Sequence, residues 1–152
     1  MARRRPGEGV YRLLWARLSY QFDFEVANAL LEPREELEVS LSGSGRVRHV
    51  WKAGRLILTF RAGDALASLT LDGAELVRRS SEPPRYRVVV RRGSVIHGSV
   101  FPRQVVGGDF GLRVGDEVLV VDEDDRLLAV GRLRIPLTLI RGLSRGEVVR
   151  VR

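Results

Sequence analysis

The strongest constraint in this sequence is a change of apolar period at Pro33. Before it, Val10, Leu14, Leu18, Phe22, Val26 and Leu30 recur every four residues, with Leu13, Ala27 and Leu31 beside them. Residues four apart stack on one face of a helix, so the spacing predicts helical structure with a single buried stripe. Pro33 lacks a backbone N–H and ends that stretch. After it, Leu37, Val39 and Leu41 alternate with polar residues, which is the two-residue period of a strand buried on one face. Val47 and Val50 follow a Ser-Gly-Ser-Gly turn, so a hairpin is expected. A second strand pair is expected at residues 56–60 and 65–71 around Gly63 and Asp64, and Asp72 is the expected cap of a short helix reaching Arg79. Residues 1–9 read as a frayed basic tail. Residues 10–80 read as an α+β domain, an antiparallel sheet packed with helices on one face, because that plan buries every stripe.

Ser80-Ser81-Glu82-Pro83-Pro84 is polar, holds two prolines and marks a boundary, with residues 81–84 as the linker. Beyond it, Val88, Val89 and Val90 lie in an expected strand over residues 85–90, and a helical turn is expected near Ser99. Two further strands flank the acids of residues 122–125. A short helical piece near residues 137–143 and a last strand over residues 147–151 complete the reading. Short strands, glycines at the turns and little helix predict a small, nearly closed β-structure over residues 85–152.

Charge narrows the partners. The chain of 152 residues has 26 Lys plus Arg against 19 Asp plus Glu, a surplus of seven positive charges. Lys52 is the one lysine. Arginine's planar fork matches phosphate oxygens and stacks on rings, although codon bias in a GC-rich genome gives the same enrichment. Residues 85–108 hold Arg85, Arg87, Arg91, Arg92 and Arg103 and no acid, and residues 126–152 hold seven arginines against Glu147. The acids between are confined to residues 109–125. The expected fold therefore gathers Arg and Gly on one side while residues 122–125 project elsewhere as a solvated hairpin tip, a segregation suited to a nucleic-acid backbone. No apolar run approaches the roughly 20 residues that span a bilayer, and Asp23, Glu25 and Glu32 dilute the basic face of the first helix, so no membrane partner is expected. Cytoplasmic location is the default, and the scarcity of Asn, Gln and Met fits a hot-growing source.

The residues of a reactive centre are missing. There is no cysteine, and His49 and His97 lie in different expected domains without a second ligand at metal spacing. Gly43-Ser44-Gly45 precedes a strand rather than a helix, which is turn chemistry and not a phosphate loop. Consecutive acids in a turn point in different directions and lack the alternation of a calcium loop. No metal or cofactor is expected.

Val100-Phe101-Pro102, Arg113-x-Gly115-Asp116-Glu117-Val118, Val120-Val121-Asp122, Leu127-Leu128-Ala129-Val130-Gly131 and the closing Gly146-Glu147-Val148-Val149-Arg150-Val151-Arg152 together resemble a PUA domain. The family is a small pseudo-barrel that binds RNA in tRNA- and rRNA-modifying proteins. Upstream, Tyr20-Gln21-Phe22, the stretch from Ser42 to Arg48, Phe60-Arg61-Ala62 and Leu69-Thr70-Leu71-Asp72-Gly73-Ala74 resemble the α+β domain preceding PUA in archaeal archaeosine tRNA-guanine transglycosylases. Asp23 departs from that pattern where Gly is usual, and the region of Pro136, Leu137 and Thr138 lacks the usual Glu-Met. The catalytic barrel of those enzymes, with its nucleophilic aspartate and zinc cysteines, has no counterpart in this sequence.

The resemblance implies a non-catalytic RNA-binding protein that binds tRNA on its acceptor-stem side, alone or as a detached module beside a separately encoded tRNA-modification enzyme. The RNA-binding residues it implies, together with the charge pattern, are Arg91, Arg92, Gly98, Val100, Phe101, Arg103, Arg113, Gly131, Arg132, Arg134, Arg150 and Arg152. The rivals are an RNA-modifying enzyme using Asp64 or Asp116, and a protein-interaction adaptor.

Overall fold

The computed structural model describes residues 2–152. Residues 1–80 and 81–152 form two compact units.

In the first unit, α1 (Glu8–Gln21) and α2 (Phe24–Leu31) carry the predicted stripe, and Leu14, Leu18, Val26 and Leu30 are fully buried. The stripe is continuous but the helix is not. Phe22 leaves helical geometry, and the carboxylate of Asp23 accepts a hydrogen bond from the Val26 N–H at 2.8 Å to start α2. An Asp at this position satisfies a helix-start donor, so Asp23 starts a second helix where Phe22 ends the first.

The sheet comprises β1 (Leu37–Leu41), β2 (Val47–Lys52), β3 (Arg55–Phe60) and β4 (Ala67–Leu69), antiparallel in that order. Gln21 completes its edge, donating to the Ala67 carbonyl at 2.9 Å and accepting from the Ala67 N–H at 2.7 Å. One amide side chain thereby replaces a neighbouring strand, which blunts an exposed edge.

Then α3 (Leu71–Arg79) begins on Thr70, whose hydroxyl accepts from the Gly73 N–H at 3.1 Å. The expected cap, Asp72, instead pairs with Arg55 at 3.1 Å on the surface. A Cβ on Gly73 would stand 2.0 Å from the Ile57 carbonyl oxygen, so only glycine lets α3 press this closely on β3.

The basic tail is a correction. Arg4 exchanges two backbone hydrogen bonds with Val39, at 2.9 and 2.7 Å, and Pro6 is buried, so the segment lies along β1 instead of fraying. Main-chain pairing anchors it regardless of its charged side chains.

The second unit is one six-stranded sheet built from β5 (Arg87–Val90), β6 (Ser99–Val100), β7 (Val105–Gly108), β8 (Glu117–Val121), β9 (Leu127–Leu133) and β10 (Val149–Val151). Their spatial order is β6-β10-β9-β8-β5-β7, with β5 parallel to β8. The two edge strands are joined by residues 101–104 alone, so the sheet must curl until its edges approach. That connection explains the pseudo-barrel. Val88, Val90, Val100, Val118, Val120 and Leu133 fill its core. The turn expected near Ser99 falls later, at Pro102–Gln104, and the helical piece expected over residues 137–143 is one turn, Leu137–Leu139. Pro102 sets the first of these, since its fixed φ suits the first position of a turn.

Candidate nucleic-acid interface

Cross-strand register builds one polar row. Glu117 on β8 lies opposite Arg132 on β9, Arg132 opposite Arg150 on β10, and Arg150 opposite Ser99 on β6. Directly opposed residues share a sheet face, so these side chains form a line across four strands while Val149 and Val118 point into the core. Glu147 joins the row, bonding the Ser99 hydroxyl and pairing with Arg150 at 3.0 Å. The Ser99 hydrogen bond, followed by the charge of Arg150, holds the Glu147 carboxyl below the usual range.

The end of β9 where it meets the turn before β8 is rich in arginine. Gly115 and Asp116 exchange backbone hydrogen bonds with Leu133 at 2.8 and 2.9 Å, clasping the turn that carries Arg113 to the strand end that carries Arg132 and Arg134. The Asp116 carboxylate closes that turn by accepting from the Arg113 N–H at 2.8 Å. Among the described residues, Arg103, Arg113, Arg132 and Arg134 have no carboxylate at ion-pair distance. Phe101 is 49% exposed in the segment that follows β6. Gly98 has φ +68° with open space around it, and its carbonyl accepts from Val151 at 2.9 Å. A backbone turn, a bare ring and several arginines are the groups that grip phosphates and stack on bases.

Other expected contacts are placed differently. Val100 is fully buried and offers no side chain to a surface. Gly131 is buried too, and a Cβ there would stand 2.1 Å from the Arg150 carbonyl oxygen, so its role is to let β9 and β10 meet. Arg152 is paired with Glu117. Arg91 lies beside Arg103, donating to its carbonyl oxygen at 3.3 Å. Arg92 is held by the acid turn, its guanidinium on Asp124 at 2.8 Å and its N–H on Glu123 at 2.9 Å, so it stands at the opposite end of the β8–β9 hairpin from Arg113.

The acid turn is the tip of the β8–β9 hairpin with Glu123 and Asp124 exposed, as expected, but its other two acids are structural rather than solvated. Asp122 is buried, and its carboxylate accepts from the N–H groups of Asp124 and Arg126 at 2.9 and 3.0 Å. Asp125 takes the guanidinium of fully buried Arg87 at 2.6 and 3.2 Å. Arg87 further donates to the Ser81 hydroxyl at 3.0 Å and the Arg85 carbonyl at 2.7 Å, so Arg87 and Ser81, read as basic face and linker, form a buried anchor. The chain places its densest acids here because a buried cation requires a carboxylate.

The acids considered for catalysis have structural partners as well: Asp64 pairs with Arg61 at 3.2 Å and caps the Leu66 N–H, and Asp116 holds its own turn. No group of three or more His, Cys, Asp or Glu among the described residues is placed to hold a metal, and no described helix is long and apolar enough to cross a membrane.

A curled six-stranded sheet of this order defines a pseudo-barrel β-domain. Residues 86–152 match the PUA domain, and residues 13–84 match the patch-forming domain C2 of tRNA-guanine transglycosylase. Together the two matches make the chain similar to the C2–PUA regions of archaeal tRNA-guanine transglycosylases. It is 34% identical over 137 residues to the tRNA-guanine(15) transglycosylase of Methanobrevibacter smithii, covering 88% of this chain and 21% of that protein. To the Pyrococcus abyssi protein of the same name it is 35% identical over 153 residues, 95% of this chain and 25% of that one. The chain thus spans about a quarter or less of these relatives. Among solved structures, a hypothetical protein of Pyrococcus horikoshii superimposes with a TM-score of 0.74 at 22% identity, over 99% of this chain and 93% of that one. A PUA domain protein of Thermoplasma acidophilum gives 0.68 at 20% identity, over 99% and 92%. Both share the fold.

Proposed function

We propose that this chain is a non-catalytic RNA-binding module of tRNA modification that grips tRNA on its acceptor-stem side, in the cytoplasm, beside a catalytic partner. The observation that carries the reading is the clasped end of the PUA sheet, where Arg113, Arg132 and Arg134 stand with no carboxylate at ion-pair distance around the turn that Gly115 and Asp116 bind to Leu133. The relatives act on guanine 15 of tRNA by name, and the matched regions are their C2 and PUA domains. Duplex RNA is read mostly through phosphates and 2′-hydroxyls, which suits guanidiniums and turn backbone better than a deep base pocket. Gly98, Phe101, Arg91, Arg103 and Arg150 are further contacts of the same reading. Arg92 and Arg152, committed to Asp124 and Glu117, are secondary to it.

Titration of labelled tRNA at several salt concentrations tests the reading. Each phosphate contact adds roughly 0.7–0.9 to the log–log salt slope. Arg103→Ala, Arg132→Ala and Arg134→Ala are each expected to weaken binding and lower the slope, whereas Arg12→Ala, on a residue paired with Glu8 at 3.1 Å, is expected to do neither. Equal losses at all four positions, or none, would reject the assigned face.

A further inference from the structure

The first unit carries a concentrated positive site that the PUA reading does not use. The β1–β2 turn, the β3–β4 turn and α1 enclose a cleft of about 160 Å³ lined by Arg17, Arg46, Arg48 and Arg61 together with Ser42 and Ser44, and no acidic side chain lines it. Arg46 and Arg48 flank buried Val47 at the start of β2, where the register with β1 shifts, and both line the cleft. Arg17 lies over the Phe60 ring, its guanidinium carbon 5.3 Å from the ring centre, which draws the charge toward the cleft wall. The side chain of Arg61 is only 11% exposed and is paired with Asp64 at 3.2 Å. Arg17, Arg46 and Arg48 have no carboxylate partner among the described residues. The hydroxyls of Ser42 and Ser44 meet at 2.9 Å on the cleft wall, one donating to the other, which leaves one hydroxyl proton to donate to a ligand.

Like charges gathered in a partly desolvated recess repel one another unless an anion stands among them. Of the anions that would relieve this, a tetrahedral phosphoryl group best fits converging guanidinium forks and hydroxyls, because several oxygens are bonded at once and each Arg fork can be bidentate. The field of the cleft reaches its surroundings: burial first, and then the charge of Arg48, hold the His49 imidazole below its ordinary value.

We propose that this cleft is a phosphoryl-binding site in the C2 unit, taking either a phosphodiester of an RNA backbone or the phosphate of a small molecule. The assignment is independent of whether the PUA face grips RNA. The test on the full chain follows arginine Nε–H resonances during titration with inorganic phosphate, against chloride at matched ionic strength. Saturable shifts are expected at Arg17, Arg46, Arg48 and Arg61, and the remaining arginines of the cleft are expected to lose them in R46Q/R48Q, whose fold is checked by circular dichroism. If an RNA backbone is the natural source, R46Q/R48Q also lowers the log–log salt slope of tRNA binding by roughly 0.7–1.8, one or two contacts. An unchanged slope with phosphate shifts retained in the wild type assigns the site to a small phosphate compound. No phosphate-specific shift in the wild type together with an unchanged slope overturns the proposal. Failure of the wild type to bind tRNA at all rejects the functional reading above and leaves the phosphate titration as the deciding arm.

Discussion

Asp125 and Arg87 are the residues on which the second unit depends most at the scale of single side chains. Arg87 is fully buried with its charge balanced by Asp125, which also adopts φ +59°, a conformation that Asp and Asn tolerate better than most residues. Asp125→Ala leaves the guanidinium buried without this carboxylate, and the expected loss is about 3–5 kcal/mol of unfolding free energy in a denaturant titration. Arg87→Met combined with Asp125→Asn is expected to cost much less, because no charge remains buried. The first unit has its own sensitive side chain in His49, whose Nδ1 lies 2.9 Å from the Ser40 hydroxyl. Burial, then Arg48, depress its pKa from the ordinary 6.5, so around that value the unfolded chain binds more protons than the folded one. Stability from this residue is therefore complete above pH 6.5 and declines as the pH falls below it toward the depressed value. Chemical denaturation across that window is expected to give a steeper pH dependence for the wild type than for His49→Gln. Neither role was legible in the sequence, where Arg87 counted as one of several basic residues and His49 as a histidine without a second metal ligand. Burial and pairing depend on neighbours 38 positions away for Arg87 and nine for His49.

At the scale of elements, the strands and helices were legible because period and turn chemistry are local. The change from period four to period two located α1, α2 and β1, and the Ser-Gly-Ser-Gly turn located the β1–β2 hairpin. The break between α1 and α2 was missed because the apolar stripe runs through it, although the signal was present in Asp23, a good cap standing where a glycine is usual. The cap of α3 was misplaced by two residues, from Thr70 to Asp72, since both are good caps and only the register of the helix chooses between them. The pairing of β9 with β10 rests on Gly131, where a Cβ would stand 2.1 Å from the Arg150 carbonyl oxygen. Gly131→Ala must push those strands apart. Its expected cost is about 1–3 kcal/mol in thermal or chemical unfolding, together with weaker tRNA binding, because the separation displaces Arg132 from Arg150.

At the scale of the whole molecule, the surplus of seven positive charges is a statement about partners and not about fold. Reading the chain as an RNA grip without chemistry of its own predicts that purified protein incubated with unmodified tRNA leaves every nucleoside mass unchanged, as measured by digestion and mass spectrometry. A new mass would favour the enzyme reading, and Asp64→Asn and Asp116→Asn would then be the first variants to compare. By itself the sequence determined the α+β and pseudo-barrel plan and the resemblance to C2 and PUA domains, because apolar period and turn residues act over a few positions. Only the tertiary structure decided which charges are available to a partner. It set the acids of residues 122–125 to capping a turn and neutralising Arg87 and Arg92, left Arg113, Arg132 and Arg134 together at the far end of the same hairpin, and drew Arg17, Arg46, Arg48 and Arg61 around one cleft. The physical reason is that a charge is free or spent according to what the fold places within a few ångströms of it, and the side chains concerned are distant in sequence.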